Sequence, residues 1–404
     1  METTAFYWKL VSPVSLGLTK IPFCNEAEHV GILRSVDGNL PNVMSRMSAH
    51  TRALNAVLPV GLARGHRGNP AAALRIERLN GLSVLLSGLP ALVLSNPEIS
   101  ALHQFYKVKL ESLQKLHRAT PEAVVCFLGG CLPLTAILHL RQLSLLIMIA
   151  HLGSNNILHR HGSNILSANN PPPKSWFIQV RNICSKYSLQ DPLLLLSSPP
   201  SKSSFKRKAK SLITDFWETK LRADASPLDS LVFFKTSFYS LSKPHPIWLT
   251  AGNNPYEVEK AVIQARMLSG RYRTCWLSRH WSGNSSGFCS LPSCSQTSQT
   301  PGTLLHILTE CEDLSQARLR VYSLWRNFLQ DKPTLFPIIR KYTLESDPLL
   351  YLQFILDCSV LPDTISATQQ YGAAVLDSLF YLTRTLCFSI HKARLKLLGK
   401  WNVK

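Results

Sequence analysis

The sequence predicts a mostly α protein: a helical bundle, a linker region, a small structural zinc module and a set of C-terminal helices. Three observations carry this. After Pro41, apolar residues recur three and four positions apart over long stretches, the period of a helix with one buried face. Proline, glycine and asparagine fall mainly between those stretches. Finally, Cys289, Cys294, His306 and Cys311 are spaced C-x4-C-x11-H-x4-C in a turn-rich window.

Taken in order, the first forty residues read as extended segments and turns, with Ile21-Pro22-Phe23, then Glu28 to Leu33, then the turn signal Asp37-Gly38-Asn39. From Pro41 the period becomes helical. Met47, Leu54, Val57, Leu58 and Leu62 mark the inward face, with Arg46, His50 and Arg52 largely off it, and Gly68-Asn69-Pro70 closes the segment. A second helix starts at Pro97, with Ile99, Leu102, Tyr106, Leu110 and Leu113 on one stripe.

Residues 123 to 140 carry no charge and just reach membrane-spanning length. Gly129, Gly130 and Pro133 interrupt them, which predicts two buried helices joined by a break. A membrane-spanning reading shares the same residues and stays open as a rival.

Between about 152 and 205, Ser, Asn and Pro clusters read as linker around one short Trp-containing segment, with His159-Arg160-His161 expected to be solvated. A basic run follows, Lys202, Lys206, Arg207, Lys208 and Lys210, leading into Leu212, Ile213, Phe216, Trp217 and Leu221. Phosphate contact and an ordinary solvated helix start account for that run equally well. Asn254-Pro255 opens another helix, with Val258, Ala261, Val262, Ala265 and Leu268 inward and Gly270 closing it. Helices are expected from Leu314 to Leu329, from Leu350 to Cys358, and from Tyr371 to a basic end at Lys392, Arg394, Lys396 and Lys400.

The Cys-Cys-His-Cys set is the donor pattern of a closed tetrahedral Zn²⁺ site, which leaves no coordination position open for catalysis. Four unrelated core residues are the alternative, since free cysteine packs readily in cores. Cys275 and His280 lie nearby and are expected not to be ligands.

Lys and Arg number 44 against 24 Asp and Glu, giving a formal net charge of +20 and a pI near 9.7. That excess points to a polyanionic partner, either RNA or DNA, or an anionic membrane surface. No basic stretch followed by an apolar run opens the chain, so no secretory signal is read. Ten cysteines without such a signal fit a reducing compartment, nucleus or cytoplasm. No adjacent aspartates, no G-x4-G-K-[ST] loop, no G-x-S-x-G elbow and no H-E-x-x-H occur. Nothing assembles an active site, and the expectation is a protein that is not an enzyme.

Several segments together resemble a known family. Glu28 to Leu33, Arg46 to Arg67 with Val84 to Gly88, Pro121 to Gly130 with Arg141 to Leu145, and Leu268 to Arg273 followed by Cys289, Cys294, His306 and Cys311 are the relevant residues. They are similar to the region downstream of the polymerase palm in reverse-transcriptase polyproteins of animal non-LTR retrotransposons. The resemblance implies a remnant of the palm and primer-grip hairpin in residues 1–40 and a thumb-like helical domain in 41–165. It further implies a basic linker region with helices in 166–254, a zinc-knuckle domain in 255–345 and C-terminal helices in 346–404. The family's palm aspartates have no match, so the resemblance implies a truncated, catalytically inactive copy, or a part whose catalytic polypeptide is separate. What it carries over is nucleic-acid contact, through Arg46, Arg52, Lys206, Arg207, Lys208, Arg271 and Arg273, beside a structural zinc.

Overall fold

Two short antiparallel hairpins open the structure, a computed structural model that describes residues 15–16, 19–20, 26–29, 32–35, 38–57, 68–282, 286–297, 300–343 and 347–399. β1 (Ser15–Leu16) pairs with β2 (Thr19–Lys20), and β3 (Glu26–His29) with β4 (Ile32–Ser35), with Glu28 opposite Leu33. The expected hairpin at Glu28 to Leu33 is therefore present. The remaining described chain is overwhelmingly helical, and the fold is mostly α.

α1 (Leu40–Val57) buries Asn42, Val43, His50 and Leu54. This corrects the expected face, because His50 points inward and Val57 outward; Leu58 and Leu62, expected on the same face, lie outside the described residues. The cause lies in the next segment. α2 (Pro70–Ile76), capped by Asn69, runs into a five-residue π-helical turn, Glu77–Gly81, and then α3 (Leu82–Leu85). The turn carries Glu77 to His50, whose Nε2 lies 2.9 and 3.1 Å from the two carboxylate oxygens with both side chains fully buried. A buried polar group is tolerated when it is paired in this way.

α4 (Asn96–Leu113) presents the expected stripe, with Leu102, Tyr106, Leu110 and Leu113 buried, and a Ser95–Glu98 capping box fixes its start. α5 (Glu122–Gly129) and α6 (Leu134–Ala150) are separate helices bent by 63° at the Gly-Gly-x-x-Pro break. Among the described residues no single helix is long and apolar enough to cross a membrane, and α5 is buried from Ala123 to Gly129.

The stretch expected as linker around one Trp-containing segment holds three helices, α7 (Ile157–Ser167), α8 (Trp176–Lys186), which is the Trp-containing segment, and α9 (Pro192–Ser197). Its Asn, Asp and Pro residues start helices instead of separating domains: Asn156 caps α7, and Asp191 with Pro192 starts α9. His159, expected in solvent, is buried with Nε2 3.1 Å from Leu196 O, while His161 is exposed. α10 (Lys202–Ala225) then lies along α6 through Phe205, Ala209, Ile213, Trp217, Leu221 and Ala225, a stripe four residues apart.

α11 (Pro246–Leu249) leads into α12 (Pro255–Leu268), bounded as expected by Asn254 and Gly270. α13 (Cys275–Ser282) follows α12. The C-terminal half gathers around α19 (Ala374–Leu397), against which α12, α15 (Ser315–Gln330), α17 (Pro348–Leu356) and α18 (Pro362–Tyr371) pack, with α16 (Phe336–Thr343) on α17. Buried polar contacts tie the halves together. Asp357 receives Tyr239 and lies 3.3 Å from His245 Nε2, and Arg266 Nε donates to Lys115 O at 2.8 Å.

Candidate metal centre

The centre is built by a clip, one short helix and one π turn. The backbones of residues 287–289 and 300–302 pair as a narrow antiparallel clip: Cys289 N donates to Thr300 O at 2.8 Å and Gly302 N to Gly287 O at 2.9 Å. Gly302 is required for this close approach, because a Cβ there would lie 2.8 Å from Cys275 Cβ and 3.2 Å from Cys289 N. α14 (Pro292–Thr297) carries Cys294. Asp313 fixes the start of α14, accepting from Ser293 N at 3.0 Å and Ser293 Oγ at 2.7 Å. That pair of bonds holds the Cys294 helix against the segment bearing Cys311.

His306 and Cys311 pose a geometric problem that the fold solves. Five positions along an ordinary α-helix amount to about 140° of net rotation, so an H-x4-C pair would point to different sides. Residues His306–Glu310 are instead wound as a π-helix, closed by Cys311 N donating to His306 O at 2.8 Å. The wider turn brings the two donors to one side, a use of π-helical turns common at functional sites. Thr303 starts the segment, its Oγ1 accepting from His306 N at 3.2 Å.

The four donor atoms of Cys289, Cys294, His306 and Cys311 lie within 4.8 Å of one another, and all four residues are buried. Cys294 Sγ is 3.7 Å from Cys311 Sγ and 3.4 Å from His306 Nε2. A tetrahedral ion with metal–sulfur bonds of ~2.3 Å and metal–nitrogen bonds of ~2.0–2.1 Å requires edges of about 3.8 Å and about 3.6 Å. The sulfurs are too far apart for a disulfide, whose S–S bond is about 2.05 Å. A buried three-cysteine, one-histidine group able to hold a metal ion is therefore present. Of the nearby residues expected not to take part, Cys275 lies outside the group, with Sγ 3.4 Å from Ser290 Oγ. The His280 side chain lies outside the described residues.

Burial pushes the Cys289 and Cys311 thiols up, and the neighbouring sulfurs push them further. A bound cation reverses that balance by stabilising thiolates. Three further residues frame the centre. Glu310 Oε2 is 3.4 Å from His306 Nδ1, behind the ring nitrogen that does not face the cysteines. Asp313 holds α14, as above. Arg318, buried on α15, donates Nη2 to Cys311 O at 2.7 Å and places a cation beside the sulfur-rich site. Glu310 and Arg318 were not singled out by spacing, since their positions depend on the π turn.

The expected phosphate-contacting residues fall into three places. Lys206, Arg207 and Lys208, together with Lys202 and Lys210, are exposed on the first turns of α10. Arg52 is exposed on α1 and Arg46 half-buried. Arg271 is half-buried and Arg273 exposed beyond the end of α12, where Arg394 Nη1 bonds Arg273 O at 2.7 Å. That contact buries Arg394 and removes it from the basic surface expected of the last helix. Comparison with known proteins adds nothing to this picture: no family model, curated protein or solved structure matches the chain.

Proposed function

We propose that this protein binds nucleic acid without catalysis, through cations on α10 and around the end of α12, and that Zn²⁺ holds its Cys289, Cys294, His306, Cys311 module together. The observation that carries the nucleic-acid reading is the placement of charge on α10. Five cations occupy its first turns, no acidic residue does, and all five are exposed. The N-terminus of a helix is its positive end, so this arrangement works against the helix dipole and does nothing for helix stability. A polyanion relieves that repulsion. Contacts to phosphate of this kind tolerate any base sequence. The resemblance to the downstream part of non-LTR retrotransposon reverse transcriptases is compatible with such a role and belongs to the same proposal.

The zinc reading rests on the three-sulfur, one-nitrogen donor set and its tetrahedral edge lengths, since borderline-soft Zn²⁺ suits thiolate and imidazole together. With four protein donors the ion is structural and supplies folding energy to the module.

Two measurements test the proposal. Binding of single-stranded oligonucleotides should fall steeply with salt, and changing Lys206, Arg207 and Lys208 to Gln should reduce the log–log slope by about two. An interaction indifferent to salt, or none at low salt, overturns the nucleic-acid reading. Freshly reduced protein should contain about one zinc per chain, and Cys294→Ser should lose it and loosen residues 286–314. Metal-free protein with the same stability ends the zinc reading.

A further inference from the structure

Away from α10 and the metal centre, a cleft of about 670 Å³ opens where the end of α4, the middle of α12 and the end of α19 converge. Its walls carry Lys109, Lys115, Arg118 and Arg266, with His391 at the back. Among the described residues none of these four cations forms an ion pair with a carboxylate. The one buried acid in the wall, Glu111, is taken by Lys107 at 3.5 Å, which leaves the exposed Glu259.

The floor is built at some cost. Lys115 follows α4 in the left-handed conformation, φ 55°, while Leu116 N donates back to Glu111 O at 2.9 Å. This is the helix-ending turn at which glycine is ordinarily favoured, because any Cβ there is strained. A lysine holding that position puts a cation into the cleft wall. Its carbonyl accepts from Arg266 Nε at 2.8 Å, which ties the turn after α4 to α12 and brings both residues to the cleft wall. Burial draws Lys115 and Arg266 below their ordinary ranges; at Lys115 the attraction of Glu259 works against burial, and the repulsion of Arg266 adds to it more weakly.

We propose that this cleft is a phosphate-binding site, in which Lys109, Lys115, Arg118 and Arg266 converge on one phosphate group. Its volume is in the range of small-ligand sites, and guanidinium with ammonium is the chemistry that recognises phosphate. The phosphate comes either from the backbone of a bound strand, which rests on the nucleic-acid reading above, or from a free nucleotide.

Lys115→Gly gives the sharpest test, because it removes the cation while relieving the turn. The full-length variant should keep or raise its thermal midpoint, yet bind a dye-labelled oligothymidylate about tenfold more weakly at low salt, with a smaller salt slope. Pyrophosphate should raise the thermal midpoint of the unchanged protein and leave that of Lys115→Gly unmoved. Glu259→Gln should tighten both interactions. A pyrophosphate effect lost in Lys115→Gly, with no oligonucleotide binding by any form, keeps the cleft as a free-nucleotide site and removes the nucleic-acid reading. Oligonucleotide binding with the same affinity and slope in Lys115→Gly and in Lys109→Gln with Arg118→Gln, and no pyrophosphate effect, overturns the cleft and leaves the α10 reading standing.

Discussion

His306 shows how much a single side chain at the metal centre depends on its surroundings. Its Nε2 faces Cys294 Sγ while Nδ1 faces the Glu310 carboxylate. No hydrogen bond joins Nδ1 to that carboxylate, which reaches the ring through charge across 3.4 Å; where a carboxylate does orient a ligating imidazole, its loss commonly costs 10–100-fold in metal affinity. Glu310→Gln should therefore keep the metal at high concentration but release it to a chelator at roughly tenfold lower chelator strength. An unchanged chelator titration would make Glu310 a bystander. Two other histidines control acid stability. Burial, helped by Lys186, draws His139 down to about 4, and burial, helped by Arg266 and Arg394, does the same to His391. The unfolded chain takes up protons on these rings near pH 6.5, whereas the folded chain refuses them until about pH 4. Below pH 6.5 the unfolded state thus binds more protons, and stability falls as pH falls, by about 3 kcal/mol for each ring across the window. Urea midpoints at pH 7 and pH 5 should show the loss. His139→Phe, which also gives up the 2.8 Å contact with Tyr187, should show a shallower pH dependence.

Among the elements, the α5–α6 break tests the reading most directly. Gly130 ends α5 at φ +57°, and a Cβ there would lie 2.2 Å from the carbonyl carbon of Lys243. His245 N donates to Leu128 O at 2.9 Å, so the chain on the far side cannot withdraw. Gly130→Ala should destabilise the protein by about 2–4 kcal/mol, from the left-handed backbone and the clash together, read as a lower urea midpoint at unchanged slope. This break was legible in the sequence because Gly129, Gly130 and Pro133 mark it locally. α12 was legible for the same reason, with Asn254-Pro255 at its start and Gly270 at its end. The inward turn of His50 was not, because its partner Glu77 lies 27 residues away on a π turn that no local pattern announces. The helices flanking the Trp176 segment, α7 and α9, read as linker in the sequence because Ser, Asn and Pro mark helix starts as well as linkers. Only packing against α6 separates the two cases. The four metal donors were visible through spacing alone, whereas the contacts that orient them arise from tertiary structure.

At the scale of the whole molecule, the distribution of acidic groups decides what kind of chemistry is open to these residues. Template-directed synthesis uses two divalent ions about 3.5–4 Å apart, clamped by carboxylates that reach both. Here the buried carboxylates are engaged singly with structural partners. Glu77 is held by His50 and Asp357 by Tyr239, His245 and Ser359, while the half-buried Glu257 is held by Lys260 and Arg384, each at 2.7 Å. Asp313 holds the start of α14, and Asp191 pairs with Arg181 at 3.0 Å. Freeing any two of them to bind Mg²⁺ would break contacts that hold different parts of the fold together. Glu26 and Glu28 share a strand, at alternate positions, and Glu28 is exposed. The protein incubated with primed template, deoxynucleotides and Mg²⁺ or Mn²⁺ should therefore bind the template in a salt-dependent manner and give no extended product. Extension that persists in Glu26→Gln, Glu28→Gln protein and disappears on heating would establish a catalytic site elsewhere in the chain.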